Sequence, residues 1–308
     1  MKLWAGSSVR IEHQPPKHDL NIDWSMYKDF LHKKYGHQYA VAQYSYALKY
    51  LDCLDNPSRI VPLHPSTKSN VMKALICLTK YLGTYLEYKE KLKQHGVKWT
   101  RPDSFDSFVR IMNNNHSDLL EWYKNAYGIL DDNEKLYLKF MLLSGLRKKE
   151  GIQAFNLVID LAGSGRLAEY FNEDLSMLEH YKHRQFLRNT KNAYITIIPR
   201  ELVMQIANSR PVSYSAIHCY LYRKHLKLRL KELRSFYASF MVRHNIISEE
   251  VDLLQGRISK SVFVRHYLKE NPIELKNRVM TALTQLEQTL NQEQSKQFDK
   301  TTPPSFLL

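Results

Sequence analysis

Apolar and aromatic residues recur every three to four positions along the first third of the chain, with polar residues between them. This spacing is typical of amphipathic helices that bury one face. Asp23 stands where its side chain can cap the first helix. The segment 56–67 contains three prolines and predicts a loop. The helical segments are 24–35, 37–54 and 68–96, the last ending at Gly96, and they predict a small helical domain over residues 21–97.

A polar segment with a proline, 98–104, separates this domain from a second one, which we predict over residues 105–292. The second domain begins with helical spacing. Short β-branched and aromatic runs then lie on either side of "RNTKN" (188–192), which predicts a β-hairpin. Helices resume after Pro199. The pattern therefore predicts a mainly α protein, with a helical domain followed by one that holds a small antiparallel β-sheet.

The two ends of the chain differ from these domains. Residues 1–20 are polar, contain two adjacent prolines and predict a flexible N-terminal arm, and residues 293–308 predict a flexible tail. Just before the tail, the segment 273–290 is amphipathic. We expect this helix or the tail to pack against a neighbouring protomer.

Charge narrows the choice of partner. Lys and Arg number 45 against 31 Asp and Glu, which gives a net charge of +14. Such an excess attracts polyanions, nucleic acid first and anionic membranes second. No apolar run approaches the ~20 residues that span a bilayer, and the N-terminus lacks the apolar block of a signal peptide. The composition thus favours a cytoplasmic protein that binds nucleic acid and does not enter a membrane.

Sequence motifs for cofactors are absent. The glycine-rich patterns that cradle a nucleotide do not occur, and no cluster of carboxylates or histidines has the spacing of a metal site. The cysteines are scattered, without a C-x-x-C pair, and predict reduced thiols; they are Cys53, Cys77 and Cys219. We therefore expect neither a metal ion nor another cofactor.

The stretch "LLSGLRKKEG" (142–151) places Arg147 directly after a buried helix and three residues before Glu150. A carboxylate at this distance can orient a guanidinium for bidentate contact with a phosphate. The alternative is a surface R-x-x-E pair, which contributes little to stability. Lys231 and Arg234 form a second basic pair, on one side of a helix turn.

Basic residues also precede that helix and interleave with aromatic residues and leucines, as in surfaces that bind a phosphate backbone. A plain solvated face explains them equally well. They are Arg223, Lys224, Lys227 and Arg229.

Two further stretches hold candidate residues. In "LLQGRISKSVFVRHYL" (253–268), Arg257 follows Gly256, and Tyr267 comes ten residues later. Lys191 lies in the predicted hairpin turn, where lysines usually only add solubility but can also deliver a cation to a distant site.

Taken in order, these residues resemble the catalytic set of the tyrosine recombinases, or phage-type integrases. "SGLRKKEG" is similar to the family's T-G-L-R-x-x-E motif, and "LLQGRISKSVFVRHY" to its L-L-G-H-x-s-x-x-t-x-x-Y motif. The K-x-x-R pair resembles archaeal, fusellovirus-type integrases. The resemblance covers about residues 20–290 and implies a helical core-binding domain followed by a recombinase catalytic domain.

The resemblance also implies a reaction that needs neither metal nor ATP. Tyr267 would attack DNA and form a 3′-phosphotyrosine, and Arg147 and Arg234 would bind the phosphate oxygens. Lys191 would be the general acid, although neighbouring Arg188 competes for that role. Lys231 and Arg257 stand where the family has histidines, so deprotonation of Tyr267 is less well explained.

The implied partner is double-stranded DNA, on which the protein would assemble as a dimer or tetramer near the nucleoid. Two alternatives remain open. A type IB topoisomerase shares the tyrosine chemistry, and a helical DNA-binding protein without catalysis would also carry this charge.

Overall fold

A computed structural model describes residues 22–99, 104–112, 117–188, 191–258 and 271–298. The described residues divide between two compact units, and the division falls between Met112 and Asn113. The fold is mainly α with one small antiparallel sheet, which confirms the predicted class. The predicted arm, Tyr267 and most of the tail lie outside the described residues. The domain limits 21–97 and 105–292 stay predictions.

The first unit is helical. Its helices are α1 (Trp24–Lys34), α2 (His37–Lys49), α3 (Pro65–Leu82), α4 (Tyr85–Gln94) and α5 (Ser104–Met112). The side chain of Asp23 accepts a hydrogen bond from the Met26 N–H at 2.9 Å, as expected of a cap. Tyr27, Leu75 and Leu78 are fully buried at the centre of its core.

The predicted helix over 68–96 is two helices. Gly83 adopts a left-handed conformation, with φ +79°, and ends α3 before α4 begins. Such a residue is a common helix terminator, because glycine has no Cβ to clash in this region. The predicted loop 56–67 is also shorter, since it contains a 3-10 turn at Pro57–Ile60 and α3 already starts at Pro65.

The second unit contains the sheet and the remaining helices. Before the sheet come α6 (Ser117–Ile129), α7 (Asp132–Ser144) and α8 (Lys148–Gly163). After it come α9 (Arg200–Ala207), α10 (Tyr214–Arg223), α11 (Leu230–Arg243), α12 (Ser248–Leu254) and α13 (Pro272–Phe298). One continuous core joins them, and α7 lies in it with Phe140, Met141 and Leu142 fully buried.

The sheet only partly follows the predicted hairpin. β2 (Met177–Leu178) pairs antiparallel with β3 (Thr196–Ile197), and a third strand, β1 (Phe171–Asn172), pairs with β2 on its other side. Each strand has two residues. The aromatic run after β2 forms 3-10 turns instead of extended strand, so β2 and β3 are not joined by the short hairpin that the sequence predicts. Residues 189 and 190 of the predicted hairpin turn lie outside the described residues.

Helix α13 packs on its own unit. Its buried apolar residues are Leu275, Val279, Ala282, Leu283, Leu286 and Leu290. Arg278 donates to both oxygens of buried Glu250, at 2.8 Å and 2.6 Å, and Glu250 also accepts from the Ile247 N–H at the start of α12. The prediction that this helix packs against a neighbouring protomer is therefore wrong for its apolar face, because that face is already buried.

A buried histidine lies beside the sheet. The Tyr170 hydroxyl is 2.6 Å from His180 Nδ1, and His180 Nε2 is 2.7 Å from the Thr196 hydroxyl. Burial lowers the pKa of His180 from 6.5 to about 3, and His183 adds to this effect. The imidazole is thus neutral in the folded protein.

This histidine makes folding depend on pH. In the unfolded chain His180 takes up a proton below pH 6.5, whereas the folded protein does not until about pH 3. Between these two pH values, the free energy of unfolding should therefore fall by about 1.4 kcal/mol for each unit by which the pH is lowered, from His180 alone. Urea titrations at several pH values should show this slope reduced in His180→Gln and unchanged in a control, His218→Gln, which removes an exposed histidine. Equal slopes in all three proteins would contradict the assignment.

Candidate active site

The junction between α7 and α8 places Arg147 at the N-terminus of α8. Gly145 ends α7 in a left-handed conformation, with φ +59°. A Cβ on Gly145 would overlap the ring of Tyr237 on α11, so glycine is required here for both conformation and space. The junction is thereby held tightly against α11, and Arg147 becomes the N-cap residue of α8.

Glu150 binds two arginines. Arg147 Nη1 donates to Glu150 Oε1 at 2.7 Å, and the Arg147 backbone N–H donates to Oε2 at 3.1 Å. Arg188 Nη2 donates to the same Oε1 at 2.6 Å. The Glu150 side chain is only 1% exposed. The predicted Arg147–Glu150 pair is therefore not a solvated surface pair.

Asn192 links Arg188 to Arg147. Its side-chain oxygen accepts from the Arg188 backbone N–H at 2.6 Å, and its amide donates to the Tyr194 hydroxyl at 2.9 Å. Its backbone carbonyl accepts from Arg147 Nη1 at 3.1 Å. One asparagine thus bonds to both arginines that Glu150 binds.

Arg234 connects the other two segments. Its Nη1 donates to the Gly145 carbonyl and its Nη2 to the Gln255 carbonyl, both at 2.8 Å. In return, Gln255 Nε2 donates to the Arg234 carbonyl at 3.0 Å. Burial, together with the positive charges of Arg147 and Arg257, lowers the pKa of Arg234 to about 10 against the opposing effects of Glu150 and Asp252.

Gly256 brings the third segment into contact with the turn. It has φ +67°, and a Cβ there would overlap the Asn192 carbonyl. The next residue, Arg257, donates from Nη1 to Asp252 Oδ1 at 3.1 Å and keeps its side chain 55% exposed. Segments around residues 145, 192 and 256 therefore meet at one place.

The structure brings together four of the residues that the sequence singled out: Arg147, Glu150, Arg234 and Arg257. Lys191 is exposed and precedes Asn192, whose carbonyl accepts from Arg147. Lys231 is exposed near the start of α11, one helix turn before Arg234. Tyr267 lies outside the described residues, so its place relative to the arginines stays a prediction.

Sequence reasoning missed part of this arrangement. Asn192 and Gln255 were not singled out, and Arg188 entered only as a competitor of Lys191. Their contacts join residues distant in sequence, and no local pattern signals them. The one available signal was glycine: Gly145 and Gly256 each precede an arginine of the site by one or two positions.

The basic residues of α10 and the segment after it have two different environments. Arg223, Lys224 and Lys227 are exposed. Arg229 differs from these three residues, because its guanidinium binds the carboxylates of Asp118, at 3.0 Å, and Glu232. Arg229 thus joins α6 to α11, and its assignment as a DNA-binding residue is not supported by these contacts.

Among known families, the sequence profile described as "Archaeal phage integrase" matches residues 112–277, more than half of the chain. The chain belongs to this family. The predicted resemblance is confirmed, and the matched residues of this integrase include every arginine of the site. Family membership indicates an integrase function with DNA as the partner.

Searches of curated proteins and of solved structures found no match to this integrase. Within the described residues, no helix has the length and apolar character to cross a bilayer. The same part of the chain contains no group of three or more metal-ligating side chains of the His, Cys, Asp and Glu types.

Adding one methyl group to Gly256 tests its contact with Asn192. Gly256→Ala should lower the free energy of unfolding by about 1–3 kcal/mol, because the methyl must displace a backbone carbonyl and the residue is held at positive φ. Gly163→Ala is the matched control, since a Cβ there meets nothing within 4 Å at the end of α8. Chemical denaturation of the three proteins measures the difference, and equal losses in both variants would contradict the close approach.

Proposed function

We propose that this integrase is a site-specific DNA recombinase that cleaves and rejoins strands through a 3′-phosphotyrosine and thereby integrates or excises a mobile element. The observation that carries the proposal is the meeting of Arg147, Arg234 and Arg257 from three separate segments. Such a cluster of cations suits the non-bridging oxygens of a phosphodiester, where negative charge develops during phosphoryl transfer.

The proposed reaction exchanges one ester for another. The Tyr267 oxygen attacks the phosphorus, the bond from phosphorus to the 5′-oxygen breaks, and the DNA 3′ end remains on the tyrosine. A 5′-hydroxyl from another strand then reverses the step and rejoins the DNA. Because the phosphotyrosine conserves the ester bond, strand exchange needs no ATP.

Two protons must move in this step. The departing 5′-oxygen takes one from Lys191, whose neighbour Asn192 accepts a hydrogen bond from Arg147. The Tyr267 hydroxyl loses the other. A protonated Lys231 cannot accept it and Arg257 does not deprotonate in proteins, which leaves a phosphate oxygen, water or a neutral Lys231 as the acceptor. We assign Arg257 to phosphate binding.

The covalent intermediate gives the direct test. Wild-type protein incubated with duplex DNA that carries its attachment site should form a protein–DNA adduct that survives denaturation. Tyr267→Phe should form none and still bind the duplex, because only the attacking oxygen is lost. Lys191→Ala should form adduct about 10²–10⁴ times more slowly. Gel electrophoresis after denaturation measures the adduct, and a band shift measures binding.

The same assay separates the alternatives. Absence of adduct from the wild-type protein on every attachment-site duplex would leave a DNA-binding protein without catalysis. Adduct formation with relaxation of supercoils, but without exchange between two site-bearing duplexes, would indicate a topoisomerase. Assembly as a dimer or tetramer on DNA stays a prediction, which sedimentation of the DNA complex would test.

A surface on α10 is our proposed contact with the duplex outside the cleavage site. Lys148, next to Arg147, lies 4.3 Å from the ring centre of Tyr214. His218 stacks on Tyr214 at 5.8 Å and Tyr222 follows at 6.5 Å, with Tyr222 73% exposed. This row of cationic and aromatic side chains starts beside the arginines and ends at Arg223, which supports a path for the DNA backbone along α10.

Salt dependence tests that path. The double variant Arg223→Gln, Lys227→Gln should weaken binding at low salt and lower the slope of log affinity against log salt by about 2, one unit for each lost phosphate contact. Arg166→Gln, Lys276→Gln removes the same charge at other exposed positions and should leave the slope nearly unchanged. If both double variants shift the slope equally, α10 has no special role.

A further inference from the structure

Glu150 is bonded to two cations, although one cation balances its single negative charge. One carboxylate, buried to 1% exposure, binds the guanidiniums of Arg147 and Arg188 through the same oxygen. Neutralisation of a buried carboxylate needs one cation. The second cation adds an unbalanced positive charge at a place where Arg234 and Arg257 already lie close.

The Arg188 side chain is held by Glu150 and not by Asn192. The backbone N–H of Arg188, not its side chain, bonds to the Asn192 side chain. The side chain is 33% exposed, and a guanidinium has five N–H donors in a planar fork. Glu150 accepts one bond from this fork, at 2.6 Å, so the fork is oriented by one of its donors.

The charges of the cluster do not cancel. Among the described residues, its cations are Arg147, Arg188, Arg234 and Arg257, and its anions are Glu150 and Asp252. The cluster thus carries two more positive than negative charges. Because these side chains are partly shielded from water, the cations repel one another and lower the stability of the fold until an anion binds. The excess positive charge of the cluster therefore favours the binding of an anion.

We propose that Arg188 is a further phosphate-binding residue of this site, held beside Arg147 by Glu150 so that the two guanidiniums bind non-bridging oxygens of the same phosphodiester. The assignment rests on the proposed phosphoryl transfer. It also removes Arg188 from competition with Lys191, since a guanidinium does not release its proton in proteins and is a poor general acid.

The first experiment uses the protein without DNA. Inorganic phosphate should raise the midpoint of thermal unfolding of the wild-type protein relative to chloride at equal ionic strength, since a ligand of the folded state stabilises it. Arg188→Gln should lose most of this rise, and Arg188→Lys should keep part of it. Arg200→Gln removes the same charge from a surface pair with Glu173 and should behave as wild type. An undiminished rise in Arg188→Gln overturns the proposal.

The second experiment asks whether Arg188 acts on the reacting phosphate. On a nicked attachment-site duplex, Arg188→Gln should form adduct about 10²–10³ times more slowly than wild type in a single turnover. On the same duplex with a methylphosphonate at the scissile position, which lacks one charged oxygen, the ratio should shrink. Arg200→Gln should match wild type on both duplexes.

The outcomes separate this inference from the proposed function. An equal loss on both duplexes means that Arg188 acts only through Glu150 or folding, and it overturns phosphate binding. If wild-type protein forms no adduct, the recombinase proposal fails and no phosphodiester is bound for cleavage. The phosphate experiment then still decides whether Arg188 binds an anion.

Discussion

A single buried guanidinium holds the second unit's site together. Arg234 is 8% exposed, and it donates to the carbonyls of Gly145, 89 residues away in sequence, and Gln255, 21 residues away. Charged donors make stronger hydrogen bonds than neutral ones, and a buried charge left without acceptors destabilises a protein strongly. These two bonds therefore fix where α7 ends relative to where α12 ends, and the positions of Arg147 and Arg257 follow from that.

The same arrangement concentrates like charges. Arginines from different segments lie within electrostatic range of one another, because uncharged contacts fix their backbones together with the bonds of Arg234: Tyr237 against Gly145, and the Asn192 carbonyl against Gly256. The framework can hold repelling cations in place without an anion. A site prepared in this way does not have to reorganise when a phosphate arrives, which is the condition for electrostatic stabilisation of a transition state.

The helices and the class of fold could be predicted from sequence, because helical periodicity is local and repeats over many residues. The sheet could not be predicted in detail. Strands of two residues carry no periodic signal, and β1 depends on pairing with β2 rather than on its own composition. The Gly83 break was readable in principle, since an isolated glycine in a helical pattern often ends it.

For the site, the R-x-x-E spacing gave the Arg147–Glu150 pair because both residues lie in one helix turn. Arg188 and Asn192 contact the pair from about forty residues away in sequence, through tertiary contacts. No sequence pattern encodes such a distance. The glycines were visible, but their function became clear only from the side chain or carbonyl that each one accommodates.

The approach of Gly256 to the Asn192 carbonyl has a consequence for how this site can change. The segment that begins at Lys191 is positioned by the main chain and side chain of Asn192, whereas the Lys191 side chain is exposed. Substitution of Lys191 therefore alters the chemical group presented to a ligand without removing a contact that positions the segment. The backbone position and the chemical group at residue 191 depend on different residues, so new chemistry can be explored there on a conformation that is already secured.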